Sequence, residues 1–355
     1  MLNKALWKKH YKETKYLIWG FWLVSLVYPL NIINYERIAI DIMEKNLLNG
    51  SEPPALFFNF EPSGFISLFQ MILLVGIASI LLGLERSNQS MDFTLTLPFK
   101  RHVLLRSKWS IGVITILSAN FVSFIFTSII LYNSYLITLI PYHLFLFYYT
   151  SSVIYLIGIY TFSLLIGKIV GNHIGQFVLT WIFLLLPAGV FTLLSHGIRF
   201  HYEHLTETTL NNSFYMYETF FHAITMPISL IATDFAIETA QLDGLEPYRF
   251  YAFFIPLVIT TLFLSTTRYL SKNMRSEHNG KLIIYKPFES LFIFGVVICF
   301  YLLGGTLITS IMYPLETVVV YHIGGLIAGG IAFVTINLLL NKNIRFKGIG
   351  GVKNV

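Results

Sequence analysis

Eight apolar stretches of about 20 residues recur along this chain, at about 16–34, 65–84, 109–131, 144–167, 175–195, 250–268, 289–310 and 317–340. At a rise of 1.5 Å per residue, each is long enough as a helix to cross about 30 Å of hydrocarbon. Backbone N–H and C=O groups find no water there, so each segment must bond within itself, and runs of this length do so as helices. The fold class predicted is all-α: a polytopic helical membrane protein with about eight transmembrane helices. Composition agrees, with 12% charged residues and a mean hydropathy of +0.68, where a soluble domain carries about a quarter charged residues. The opening MLNKALWKKHYKETK leads into an apolar run too long for a signal-peptide core and without a small-residue cleavage site, so no cleaved leader is expected. The lone cysteine, Cys299, falls in the seventh run and reads as a small packing residue.

Charge asymmetry sets the expected orientation. With the N-terminus inside, 20 of the 24 Lys and Arg residues fall on cytosolic segments, against five of the 18 acids. That is the positive-inside pattern, and it places both termini in the cytoplasm of a cell (plasma) membrane protein. The net charge of +6 is then accounted for by lipid and needs no nucleic-acid partner.

Residues 1–15 read as an interfacial helix. Lys4, Lys8, Lys12 and Lys15 share one helix face and Trp7 suits the headgroup layer. The largest outer segment, 196–249, reads as a small helical cap. Its apolar centre, FYMYETFFHAITMPISLIA, carries Glu218, His222 and Pro227 and reads as a surface-lying or re-entrant helix pair rather than a ninth span. In the eighth run, Gly324, Gly325, Ala328 and Gly329 predict close helix contact.

The missing motifs narrow the function. No GxxxxGK[ST] loop is present, nor HExxH, GxSxG or a finger-like Cys/His set. A catalytic site in this chain is therefore unsupported. Span interiors carry no Asp, Glu, Lys or Arg of the kind ion-coupled carriers use, so energy for any transport is expected from another subunit. No metal site is expected either. His201, Glu203 and His204 have a spacing workable for Zn²⁺ or Cu²⁺ on a helix, with His196 and Glu207 nearby, but a solvated loop is the favoured reading.

The segment 85–108, ERSNQSMDFTLTLPFKRHVLLRSK, is basic and short, lies between the second and third runs, and contains Pro98 as a stop for any helix before it. It resembles the cytosolic loop of ABC-2-type transporter permeases, which opens E-[KR]-x-x-G-[ST] and continues through an acid, a Leu-rich turn, Leu-Pro and Arg. The matching positions are Glu85, Arg86, Ser90, Asp92, Leu95, Leu97, Pro98 and Arg101, with Lys108 closing; Gln89 stands where the family has glycine. The opening ALWKKHYKETK, the eight runs and the modest cap are most similar to the Ytr-type permeases of Gram-positive bacteria.

The resemblance implies a permease core over residues 1–270, followed by two additional spans and a basic cytosolic tail over 271–355. It implies that 85–108 is a coupling helix seated in a cleft of a separate ATPase. Arg86, Asp92 and Arg101 would meet charges there, while Met91, Phe93 and Leu95 fill the cleft. ATP and Mg²⁺ would bind the ATPase, with no cofactor on this chain. A second permease copy or a homologous permease would complete the complex. Phe69, Gln70, Phe183 and Pro187 would line a pathway between second and fifth spans. Export of a hydrophobic, amphipathic or peptide-like cargo is the leading expectation. The alternative is a non-transporting ABC membrane subunit that transmits conformational signals in envelope stress or antimicrobial resistance.

Overall fold

The structure, a computed structural model, describes residues 4–48, 61–88, 96, 99–134, 142–206, 215–231, 246–272, 283–284, 286–313 and 317–341. These contain helices α1 (Lys4–Leu48), α2 (Glu61–Ala78), α3 (Arg101–Tyr132), α4 (Tyr142–Ile169), α5 (His173–Thr206), α6 (Tyr215–Ile224), α7 (Glu246–Lys272), α8 (Lys286–Ile311) and α9 (Val318–Asn341). Helix α2 runs on through a π-helical turn, Ser79–Leu84, into a last α turn, Glu85–Ser87. No strand occurs among the described residues. Among the described residues, eight helices are long and apolar enough to cross a membrane, one for each apolar run, and the chain is a multi-pass, all-α membrane protein.

Several helices run past the limits of their apolar runs: α1 reaches Leu48 and α3 begins at Arg101. Residues 4–15 are not a separate helix but the first turns of a continuous α1. The reason is that Leu6, His10, Thr14, Ile18, Phe21 and Ser25 form one buried stripe across the anticipated break. Extending a helix along a single packed face costs less than starting a second one. Helix α5 likewise continues past 195 to Thr206, so His196, His201 and His204 are helical rather than in a loop. Where the sequence suggests a helix pair, the described residues hold α6, a bend at Thr225 and a short helix at 226–231.

Packing divides the chain into two compact units. The first comprises residues 1–81, 98–165 and 226–273. In it α1 packs on α2 and α3, and α3 packs on α2 and α7. Its interior is knit by polar side chains. Gln70 donates to the Ser25 hydroxyl (2.9 Å), and Ser123 donates to the Ser25 carbonyl (2.8 Å). The Tyr149 hydroxyl lies 2.9 Å from Ser123 and 2.8 Å from Thr127. Tyr28 stacks on Tyr148 with centroids 4.7 Å apart. Between helices in lipid, small side chains and such bonds supply the cohesion that water would otherwise drive.

The second unit comprises residues 82–97, 166–225 and 274–355. Its centre is a hairpin of α8 and α9, against which α5 packs. Glycine makes the hairpin possible: a Cβ on Gly304 would overlap that of Ala328 and lie 2.7 Å from the Gly324 carbonyl oxygen. A Cβ on Gly325 would lie 2.8 Å from the Tyr301 ring. The small-residue face anticipated in α9 is thus the contact face.

Candidate functional site

The two ends of the 85–108 segment are held by buried cations. At its start, Arg86 is only 1% exposed. Its guanidinium donates to the Val170 carbonyl (2.9 Å) and the Lys168 carbonyl (3.3 Å). The carbonyl between them, on Ile169, accepts the Ile284 N–H at 2.8 Å. A helix end leaves its last carbonyls without intrahelical donors, and its dipole favours a cation there. Arg86 satisfies both demands at the C-terminus of α4.

The next residue ties in the start of α5. The Ser87 hydroxyl oxygen accepts the His173 backbone N–H (3.3 Å) and lies 2.8 Å from His173 Nδ1. Asn172 caps α5 by accepting the Gly175 N–H with its side-chain oxygen. Gly83 and Gly167 have no room for a Cβ: the first lies against His173 and Gln176, the second against the Gln176 carboxamide. Residues 83–87 are therefore closely fitted to the α4–α5 turn.

At the other end, Lys108 is also buried, at 3% exposure, and donates to the Leu81 carbonyl. Leu81 lies in the π-helical turn, where i→i+5 pairing throws the ordinary ladder out of register. The Lys108 carbonyl accepts from Tyr160 (2.7 Å), and the Trp109 indole donates to Thr161 (3.0 Å). Gly112 sits directly under the Tyr160 ring. Helix α3 is thus fixed to both α2 and α4 within its first three turns.

The remaining cations of the segment face outward. Lys100, Arg101 and Arg106 are exposed on the entry to α3. Lys108 carries a sequence signal for burial: it falls on the face of Leu104, Leu105, Ile111, Gly112 and Thr115, all buried, whereas Arg106 does not. Arg86 had no such signal, because its acceptors lie more than 80 positions away. Glu85 is buried too, and Thr96 is exposed. Met91, Asp92, Phe93, Leu95 and Pro98 lie outside the described residues.

Of the four pathway candidates, Phe69 and Gln70 belong to the first unit and Phe183 and Pro187 to the second. Phe69 is exposed on α2, while Gln70 is buried in its bond to Ser25. Phe183 packs on Phe292 (centroids 5.8 Å apart) and lines an apolar cavity of about 890 Å³ between α5, α8 and α9. Pro187 interrupts the α5 hydrogen-bond ladder, and the following N–H, on Ala188, donates sideways to the Thr225 hydroxyl at 3.0 Å.

The set His201, Glu203 and His204 does not converge as a three-ligand group. His204 points its Nδ1 at the Phe200 carbonyl (3.0 Å), and Glu207 lies outside the described residues.

No protein-family profile matches the chain, and no solved structure matches it. The chain is similar to a Bacillus subtilis (strain 168) protein named probable ABC transporter permease YtrC. The two are 23% identical over 305 residues, covering 81% of this chain and 84% of the relative.

Proposed function

We propose that this chain is the membrane-spanning permease subunit of an ABC transporter, of the ABC-2, Ytr-like kind, and that a separate ATPase drives it through residues 85–108. The relative's name supports the permease reading. The observation that carries the coupling role is the sorting of cations around the segment. Lys100, Arg101 and Arg106 are exposed, while Arg86 and Lys108 are buried as anchors.

A part that transmits force needs a surface for its partner and stiff attachments behind it. The exposed cations, with Met91, Asp92, Phe93 and Leu95, supply the surface. Arg86 holds the start of the segment to the end of α4. Lys108 holds the entry of α3 to α2. When ATP and Mg²⁺ close the partner ATPases, displacement of the segment moves these helix ends as rigid pieces. The chain itself is not catalytic. It works beside a second permease copy or a homologous one, in the plasma membrane with both termini cytoplasmic. Its cargo is hydrophobic, amphipathic or peptide-like, and it is exported.

Affinity purification from native membranes in mild detergent tests this reading. A stoichiometric partner with a P-loop ATPase sequence is expected, lost on Arg101→Glu/Arg106→Glu. Arg86→Met should keep the partner but abolish cargo-stimulated ATP hydrolysis. A chain that purifies alone, under conditions that preserve other complexes, would overturn the proposal.

A further inference from the structure

Helices α5, α8 and α9 bring together two histidines and a tyrosine that lie far apart in sequence. His201 on α5 and His322 on α9 face each other with their Nε2 atoms 3.1 Å apart. His201 Nδ1 lies 2.7 Å from the Gly197 carbonyl. A carbonyl only accepts, so Nδ1 carries the proton and His201 Nε2 presents its lone pair. His322 Nδ1 lies 2.6 Å from the Tyr301 hydroxyl. In the absence of a ligand, His322 Nε2–H donates to His201 and the Tyr301 hydroxyl donates to His322 Nδ1.

We propose that His201 and His322 form a binding site for a divalent first-row metal ion, of which Zn²⁺ is the reference, held by the two Nε2 atoms. Tetrahedral zinc with Zn–N of about 2.0–2.1 Å spaces two ligand nitrogens about 3.3 Å apart. The observed 3.1 Å needs little adjustment. Imidazole nitrogen is a ligand suited to zinc, copper and nickel.

The second indication is the outer pair of contacts. A metal-bound histidine characteristically donates its other N–H to an oxygen, which fixes the ring and raises its basicity. Both rings have that oxygen in place: the Gly197 carbonyl for His201 and the Tyr301 hydroxyl for His322. Binding moves the His322 proton from Nε2 to Nδ1, so Tyr301 changes from donor to acceptor and two neutral imidazoles bind with no net proton loss. The His201 ring is further held edge-on by Tyr321, with centroids 4.8 Å apart. His322 is exposed, leaving the other coordination positions to water. The site differs from the HYEH pattern in the sequence: its second ligand comes from α9, 121 positions away.

The test uses the full-length chain, purified in detergent through a non-histidine tag, stripped with chelator and titrated with Zn²⁺ against a chromophoric competitor. One Zn²⁺ per chain is expected. His201→Ala and His322→Ala should each weaken it beyond about 100-fold, and Tyr301→Phe by about 10-fold, the range for an outer-shell partner. His204→Ala should leave it unchanged. Metal-free melting curves of each variant, with His201→Gln and His322→Gln as conservative replacements, separate ligand loss from misfolding. Equal affinity in wild type and both histidine variants would overturn the proposal. So would loss in His204→Ala with retention in His322→Ala.

Discussion

Helix α4 and the α8–α9 hairpin are built from similarly long apolar segments, yet they are stabilised in opposite ways. The spanning window of α4 has a mean hydropathy of 1.7 and is 78% buried; those of α8 and α9 are more apolar, at 2.5 and 2.1, and only 17% and 28% buried. In water the more apolar helix would be the more hidden. In lipid the tails are as apolar as leucine, so apolarity gives no reason to turn inward, and polar groups and close backbone contact decide. Helix α4 carries Tyr149, Tyr160, Thr161 and the terminal carbonyls of Lys168 and Ile169, each of which finds a partner on another element. The hairpin instead relies on glycines that let two backbones touch.

The comparison makes graded predictions, read as detergent or denaturant unfolding of the purified chain. The largest effect belongs to Arg86→Ala, which strips the Lys168 and Val170 carbonyls, at and just past the end of α4, of a charged donor. Hydrogen bonds to charged groups contribute about 1.5–3 kcal/mol each, so a loss of about 3 kcal/mol is expected; a loss below about 1 kcal/mol would show that the anchor is ornamental. Next comes Gly112→Ala, whose methyl overlaps the Tyr160 ring. Overpacking of this kind costs about 1–3 kcal/mol. Gly304→Ala in the hairpin should cost a similar amount, because there a methyl meets Ala328 and the Gly324 backbone rather than a ring able to turn. If it proves neutral, the hairpin is not held by backbone contact.

Tyr160→Phe removes one buried hydrogen bond, to the Lys108 carbonyl, and should cost about 1 kcal/mol. The smallest effect is Gly330→Ala, where the added methyl meets nothing within 4 Å. A shift within about 0.5 kcal/mol is expected, and a larger one would place an unrecognised contact on that face of α9.

Much of the architecture was legible before any coordinates. The eight runs became eight helices, and Gly324, Gly325 and Gly329 proved to be contact residues because small side chains at helical spacing have few other uses in a span. The candidate site was legible only in outline. Basic residues in 85–108 marked a segment of interest, but which cations face out and which serve as anchors was not written in their order. Lys108 was within reach of a careful helical projection. Arg86 was not, since a charged side chain is hidden only where acceptors await it, and those acceptors are the end of a helix two spans further on.

The same division holds at the His201 end of α5. From sequence, His201 belongs with Glu203 and His204, its neighbours in the chain; in the structure its partner is His322, and Tyr301 lies behind that. Hydrophobic length and charge bias are sums over local residues, so the sequence by itself determined the number of apolar helices, their helical form and the uneven spread of charge between the segments that join them. The partner of a polar side chain depends on which helix faces are brought within about 3 Å of each other. Only the tertiary structure decided that, because such a distance is set jointly by glycine contacts, π turns and caps that lie far apart along the chain.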